Sequence, residues 1–127
     1  MGKNGRKILV VDDDPDIGIM LKLMLEYRGY DAVVATSAER AEEIIEQEPV
    51  KLIIMDMLLS GTNGTDLCRK LRMEEKTKSL PILMISAHPN AKEICIEAGA
   101  NDFILKPFDM QEILSRVNNL LELQSQS

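Results

Sequence analysis

The chain has 127 residues, 45% hydrophobic and 28% charged, which suits one soluble domain built on one core. A net charge of -6 and a pI of about 4.8 lack the basic footprint that direct nucleic-acid binding needs, and favour a basic or mixed-charge protein partner. No apolar run is long enough to span a bilayer, no secretory segment follows the mildly basic start, and with aromatics at 3% the core must be aliphatic and methionine-rich.

Residues 1–6 read as a disordered leader. Lys7 to Val11 is the first predicted strand, apolar from Ile8 to Val11, and Asp12-Asp13-Asp14-Pro15 ends it. Pro15 suits the first turn of a helix and acidic residues suit its positive end. That helix is expected to bury Ile17, Met20, Leu21 and Met24, with Gly29 as its stop. A shorter strand spans Tyr30 to Ala35. Thr36 and Glu39 fit a capping box for a second helix, which buries Ala38, Ala41, Ile44 and Ile45 and ends at Glu48-Pro49.

Leu52 to Asp56 is the central strand: four apolar residues closed by one carboxylate. A glycine-punctuated loop and a third helix follow, the helix carrying Leu67, Cys68 and Leu71 inward. Pro81 to Ile85 is a fourth buried strand that closes at Ser86. Asn90 to Ala98 is a short helix with Ala91, Ile94, Cys95 and Ala98 inward, stopped by Gly99. Asp102 to Leu105 is the fifth strand, closed by Lys106-Pro107. Asp109 and Glu112 fit a second capping box, and the last helix buries Ile113, Leu114, Val117, Leu120 and Leu121. The domain should therefore span 7–122, with 123–127 a polar tail. Cys68 and Cys95 have no metal-ligand spacing and read as buried free thiols in a reducing cytoplasm.

Five alternations of apolar strand and amphipathic helix imply a doubly wound parallel sheet with helices on both faces. Right-handed crossovers put every strand's carboxyl end on one edge, where ligand crevices of such sheets lie. Four ends there carry chemistry: Asp12 and Asp13, Asp56, Ser86, and Lys106. Three close carboxylates repel unless a cation joins them, and hard oxygen donors suit Mg²⁺. A metal site, a carboxylate nucleophile, a hydroxyl and an ammonium are the parts that phosphoryl transfer to a carboxylate needs. Asp56 is the candidate nucleophile. No phosphate-cradling G-x-x-x-x-G-K-[ST] loop is present, so the phosphoryl group must come from outside.

These residues, from Lys7 to about Leu121, resemble the receiver domain of response regulators in two-component signalling. The marks are Ile8-Leu9-Val10-Val11-Asp12-Asp13, Asp56 with Gly61-Thr62-Asn63-Gly64, Ser86-Ala87, Ala98 to Phe103, and Lys106-Pro107-Phe108. The resemblance implies a flavodoxin-like, five-stranded sheet of order 2-1-3-4-5 with five helices. It makes Asp56 the phosphoacceptor, with Mg²⁺ held by Asp13, Asp56 and the main-chain oxygen of Leu58, and by Asp12 mainly through water. Ser86 and Lys106 would grip the phosphoryl oxygens, and Lys106-Pro107 would be cis. Ser86 and the aromatic at Phe103 would form a switch that remodels the fourth-helix to fifth-helix face. The implied partners are a sensor histidine kinase or a histidine phosphotransfer protein, and a downstream protein target or fused output domain. Phosphorylation-linked dimerisation through the fourth and fifth helices is a further expectation.

Three features depart from the family pattern. Ser60 stands where proline is usual, Phe103 replaces the common tyrosine, and the stretch from Ser86 to Gly99 is short, which predicts a clipped fourth helix. His88, the sole histidine, reads as an exposed loop residue, with modulation of acyl-phosphate hydrolysis as the sharper alternative. Two other functional classes stand beside the switch. A small-molecule aspartate-nucleophile phosphohydrolase would need a Thr or Val after its second aspartate and a cap domain, and this chain offers neither. A phosphorylation-silent docking module would share the fold without the chemistry.

Overall fold

The computed structural model describes residues 7–59 and 61–126, with side chains to Glu122. The expected leader, Ser60 and Ser127 lie outside the described residues. The strands are β1 (Lys7–Val11), β2 (Asp31–Ala35), β3 (Val50–Asp56), β4 (Leu58–Leu59), β5 (Thr62–Asn63), β6 (Ile82–Ser86) and β7 (Asp102–Leu105). The helices are α1 (Pro15–Tyr27), α2 (Ala38–Gln47), α3 (Gly64–Met73), α4 (Ala91–Glu97) and α5 (Met110–Gln126).

Five strands form one parallel sheet in the order β2-β1-β3-β6-β7, which is the expected 2-1-3-4-5 once the small β4–β5 hairpin is set apart. Successive side chains of a strand point to opposite faces, and the apolar strands feed two cores accordingly. Leu9, Val11, Ile53, Met55, Ile82 and Met84 pack with the inner faces of α2, α3 and α4. Ile8, Val10, Leu52, Ile54, Leu83 and Ile85 pack with α1 and α5. A strand buried on both faces must be apolar throughout, which is why these runs contain almost no polar residue before their last position.

Several boundaries shift for local reasons. The β2 strand starts at Asp31, because the Tyr30 N–H is spent on the Leu25 carbonyl that closes α1. The α2 cap is Ser37, not Thr36: its hydroxyl accepts from the Arg40 N–H at 3.1 Å, so Glu39 falls one position short of a box. At α5 half of the second box forms, with Asp109 accepting from the Glu112 N–H at 2.8 Å, while the Glu112 carboxylate turns to Arg116. Met20 and Ile94, expected inward, are 47% and 44% exposed; Leu25 takes the inward place on α1. The α5 helix continues to Gln126, through the segment read as a polar tail. The α4 helix is short, at seven residues.

Candidate functional site at the carboxyl edge of the sheet

The Asp triplet after β1 divides its labour. Asp14 caps α1, its Oδ1 accepting from the Asp16 N–H at 3.0 Å. Asp12 and Asp13 turn instead to Asp56: one carboxylate oxygen from each of the three lies within 4.8 Å of the others. Asp12 is 3% exposed, and its Oδ1 accepts from the Asp14 N–H at 2.9 Å. Burial pushes its carboxyl above the ordinary carboxylate range. The charges of Asp56 and Asp13 add to that push, while the Asp14 N–H and Lys106 oppose it.

Asp56 ends β3 with both oxygens engaged. Oδ1 accepts from the Leu58 N–H at 3.1 Å, and Oδ2 meets Lys106 Nζ at 2.9 Å. Lys106 reaches it because β7 ends beside β6: the Lys106 N–H donates to the Ser86 carbonyl at 2.8 Å, and a cis peptide joins Lys106 to Pro107. The loop after Asp56 is pinned at two points, by the Met57 N–H on the Ile85 carbonyl and the Gly64 N–H on the Met57 carbonyl. Three negative charges thus face one ammonium, an excess that a divalent cation would offset.

Ser86 closes β6 at 2% exposure. Its hydroxyl oxygen accepts from the His88 N–H at 3.0 Å. His88 is exposed, as read, though its ring is not idle: Nδ1 accepts from the Asn90 N–H at 3.2 Å. Phe103 is 8% exposed and belongs to the core under α4, with Ala91, Cys95 and Ala98. The Leu58 side chain is 62% exposed.

Sequence reasoning missed three features. The Leu58 N–H that orients Asp56 depends on a two-residue turn with no side-chain signature. An apolar groove of about 370 Å³ runs beside the site, lined by Ile17, Met20, Ala87, Lys106, Pro107 and Phe108. Arg72 braces the far side: it donates to the carbonyls of Gly99 at 2.8 Å and Leu80 at 2.7 Å and to Asn101 Oδ1 at 2.7 Å. A half-buried arginine in an amphipathic helix gives no sign of that in the sequence.

A family model described as the response regulator receiver domain matches residues 8–118. The DNA-binding dual master transcriptional regulator RpaA of Synechocystis is 35% identical over 91% of this chain and 48% of its own length. The chain spans about half the length of the curated relatives it matches. A crystal structure described as a response regulator from Chloroflexus aurantiacus J-10-fl superposes with a TM-score of 0.88 at 42% identity, covering 92% of this chain and 98% of that one. The receiver domain of the sensor histidine kinase PA1611 from Pseudomonas aeruginosa PAO1, with a magnesium ion coordinated in its active-site cleft, superposes with a TM-score of 0.84 at 28% identity, over 93% and 98% of the two chains. The expectation that the chain binds no nucleic acid directly finds no support among these relatives, one of which is named as DNA-binding.

Proposed function

The chain belongs to the response regulator receiver domain family, and from that premise we propose that Asp56 accepts a phosphoryl group from a partner's phosphohistidine. The carrying observation is the convergence of Asp12, Asp13 and Lys106 on the Asp56 carboxylate. In the transfer, a carboxylate oxygen of Asp56 forms the new bond to phosphorus as the bond to the partner's imidazole nitrogen breaks. The Leu58 N–H and Lys106 fix the plane of the carboxylate, so the nucleophile is held in one orientation before the donor arrives. Lys106 then neutralises charge on the phosphoryl oxygens, and the Ser86 hydroxyl offers them a donor.

The donor set fits Mg²⁺: hard carboxylate oxygens and an excess of negative charge. Asp12, Asp13, Asp56 and the Leu58 carbonyl would hold it, where it would supply charge neutralisation between carboxylates and phosphoryl oxygens. The donor is a sensor histidine kinase or a phosphotransfer protein, and the chain catalyses only its own phosphorylation and slow hydrolysis. The switch pairs Ser86 with Phe103, acts on a downstream protein or fused output domain, and links phosphorylation to self-association through α4 and α5. No helix among the described residues is long and apolar enough to cross a membrane, and the chemistry suits the cytoplasm, where such kinases hold their ATP.

The test is intact mass after incubation with acetyl phosphate, with and without Mg²⁺, for wild type and Asp56→Asn. One phosphoryl group that needs both Mg²⁺ and Asp56 is expected. No adduct on the wild-type chain would reduce the fold to a docking surface and overturn the reading. Sedimentation of the phosphorylated and unmodified chains checks the dimer; an unchanged monomer removes that part.

A further inference from the structure

The α4 helix begins without a cap of its own. Its N-cap residue, Asn90, makes no side-chain capping bond, although the first turn of a helix presents unsatisfied N–H groups. The acceptors come from His88. The Asn90 N–H donates to His88 Nδ1 at 3.2 Å, and the Ala91 N–H donates to the His88 carbonyl at 3.1 Å. The His88 N–H in turn donates to Ser86 Oγ at 3.0 Å. Three successive bonds therefore run from a buried hydroxyl at the end of β6, through one residue, into the first turn of α4.

We infer that His88 is a positioning residue that ties the start of α4 to the orientation of the Ser86 hydroxyl. The inference rests on the phosphoacceptor reading of Asp56. The bond from the His88 N–H uses a lone pair of Ser86 Oγ and leaves its proton to offer. β6 lies beside β3, with Ile85 opposite Asp56, so new oxygens on Asp56 arrive next to that hydroxyl. A bond between a side chain and the N–H two residues on is met by one χ1 rotamer. Turning Oγ toward the cleft breaks it and frees the His88 amide. Both bonds into the start of α4 hang on the same residue, so they shift together, and the helix start loosens. Nδ1 must be the unprotonated ring nitrogen for this, with the proton on Nε2.

The experiment is residue-resolved amide exchange on the full chain, with and without acetyl phosphate and Mg²⁺, for wild type, His88→Ala and His88→Asn. The same samples are weighed by intact mass. In wild type, phosphorylation should speed exchange at Asn90 and Ala91 by about fivefold, roughly the factor that one lost hydrogen bond is worth. In His88→Ala the Asn90 amide should exchange fast from the outset and no longer respond to phosphorylation. Asn has an oxygen that accepts from the N–H two residues on, so His88→Asn should restore both the protection and the response. A chain that takes the phosphoryl group in full, yet shows the same response at Asn90 and Ala91 in wild type and His88→Ala, or none in wild type, overturns the role of His88 alone. A wild-type chain that takes no phosphoryl group overturns the phosphoacceptor reading and the role of His88 with it.

Discussion

Replacing Asp12 by Asn should stabilise the metal-free protein while weakening its response to Mg²⁺. Asp12 is 3% exposed, and its carboxylate shares a cluster with oxygens of Asp13 and Asp56, all within 4.8 Å of one another. Two unit charges at that separation repel by about 3.5 kcal/mol at an effective dielectric constant of about 20. Asp12 has two such neighbours, and Lys106 offsets part of the sum. Relaxation and the open side of the cleft leave a net penalty of about 1.5 kcal/mol, or about 6 °C in Tm for a domain of this size. Asn keeps the oxygen that accepts from the Asp14 N–H and turns its amide protons toward the two remaining carboxylates.

The pH dependence of that gain has a fixed sign. The Asp12 carboxyl is raised in the folded state, mainly by burial. Well below the unfolded value of about 3.9 it is neutral both folded and unfolded, so wild type carries no penalty there. As pH rises from that value through the raised folded one, the unfolded chain ionises more readily and wild type loses stability. The advantage of Asp12→Asn should therefore be near zero in acid and full at pH 7. Thermal melts in EDTA from acid to neutral pH, then in Mg²⁺, provide the assay; in Mg²⁺ wild type should recover most of the gap. A variant no more stable than wild type at pH 7, or a gain that persists in acid, refutes the repulsion argument.

Other substitutions probe the frame around the site. A Cβ at Gly64 would collide with the Asp56 carbonyl oxygen and stand 3.2 Å from Met57 backbone atoms, so Gly64→Ala should cost about 1–3 kcal/mol in urea unfolding and slow phosphoryl uptake. Backbone atoms cannot step aside as a flexible side chain can, and a variant of wild-type stability would contradict the packing. Arg72→Ala strips donors from the Gly99 and Leu80 carbonyls and from Asn101, and should cost about 3 kcal/mol, with Arg72→Lys recovering little because an ammonium lacks the fork. Burial pushes the Cys95 thiol up to about 11, helped by Cys68, whose own thiol is also raised by burial. Both should resist a disulfide reagent at pH 8 in the native state and react once the chain unfolds; the stability held by the neutral thiols should fade as pH climbs from about 9 through 11. Rapid native labelling of either thiol would contradict their burial.

What the sequence disclosed, and what it hid, follows the range of the forces involved. The three central strands were legible because a doubly covered strand must be apolar along its length, so Ile8 to Val11, Leu52 to Met55 and Ile82 to Ile85 announce themselves. Once the strands were placed, topology alone carried Asp12, Asp13, Asp56, Ser86 and Lys106 to one edge. The helix faces were less legible where the helix is apolar all round. On α1, Ile17, Ile19, Met20, Leu21, Leu23, Met24 and Leu25 offer more than one stripe, and only the fit against β2 selects Leu21, Met24 and Leu25 over Met20.

The least legible features are set by turns of two or three residues, which carry no period. Asp14 capping a helix while Asp12 enters the carboxylate cluster is one. The Leu58 N–H on Asp56, inside the unforeseen β4–β5 hairpin, is another. The Ser86 hydroxyl turned to His88 is a third. Each decides which lone pair of an oxygen at the carboxyl edge is already occupied, and so what a group arriving there must displace. The long-range pattern brings these side chains together, and the short turns set how each is aimed. A mutation in a strand should therefore act on whether the domain folds, and one in these turns on how a folded domain responds.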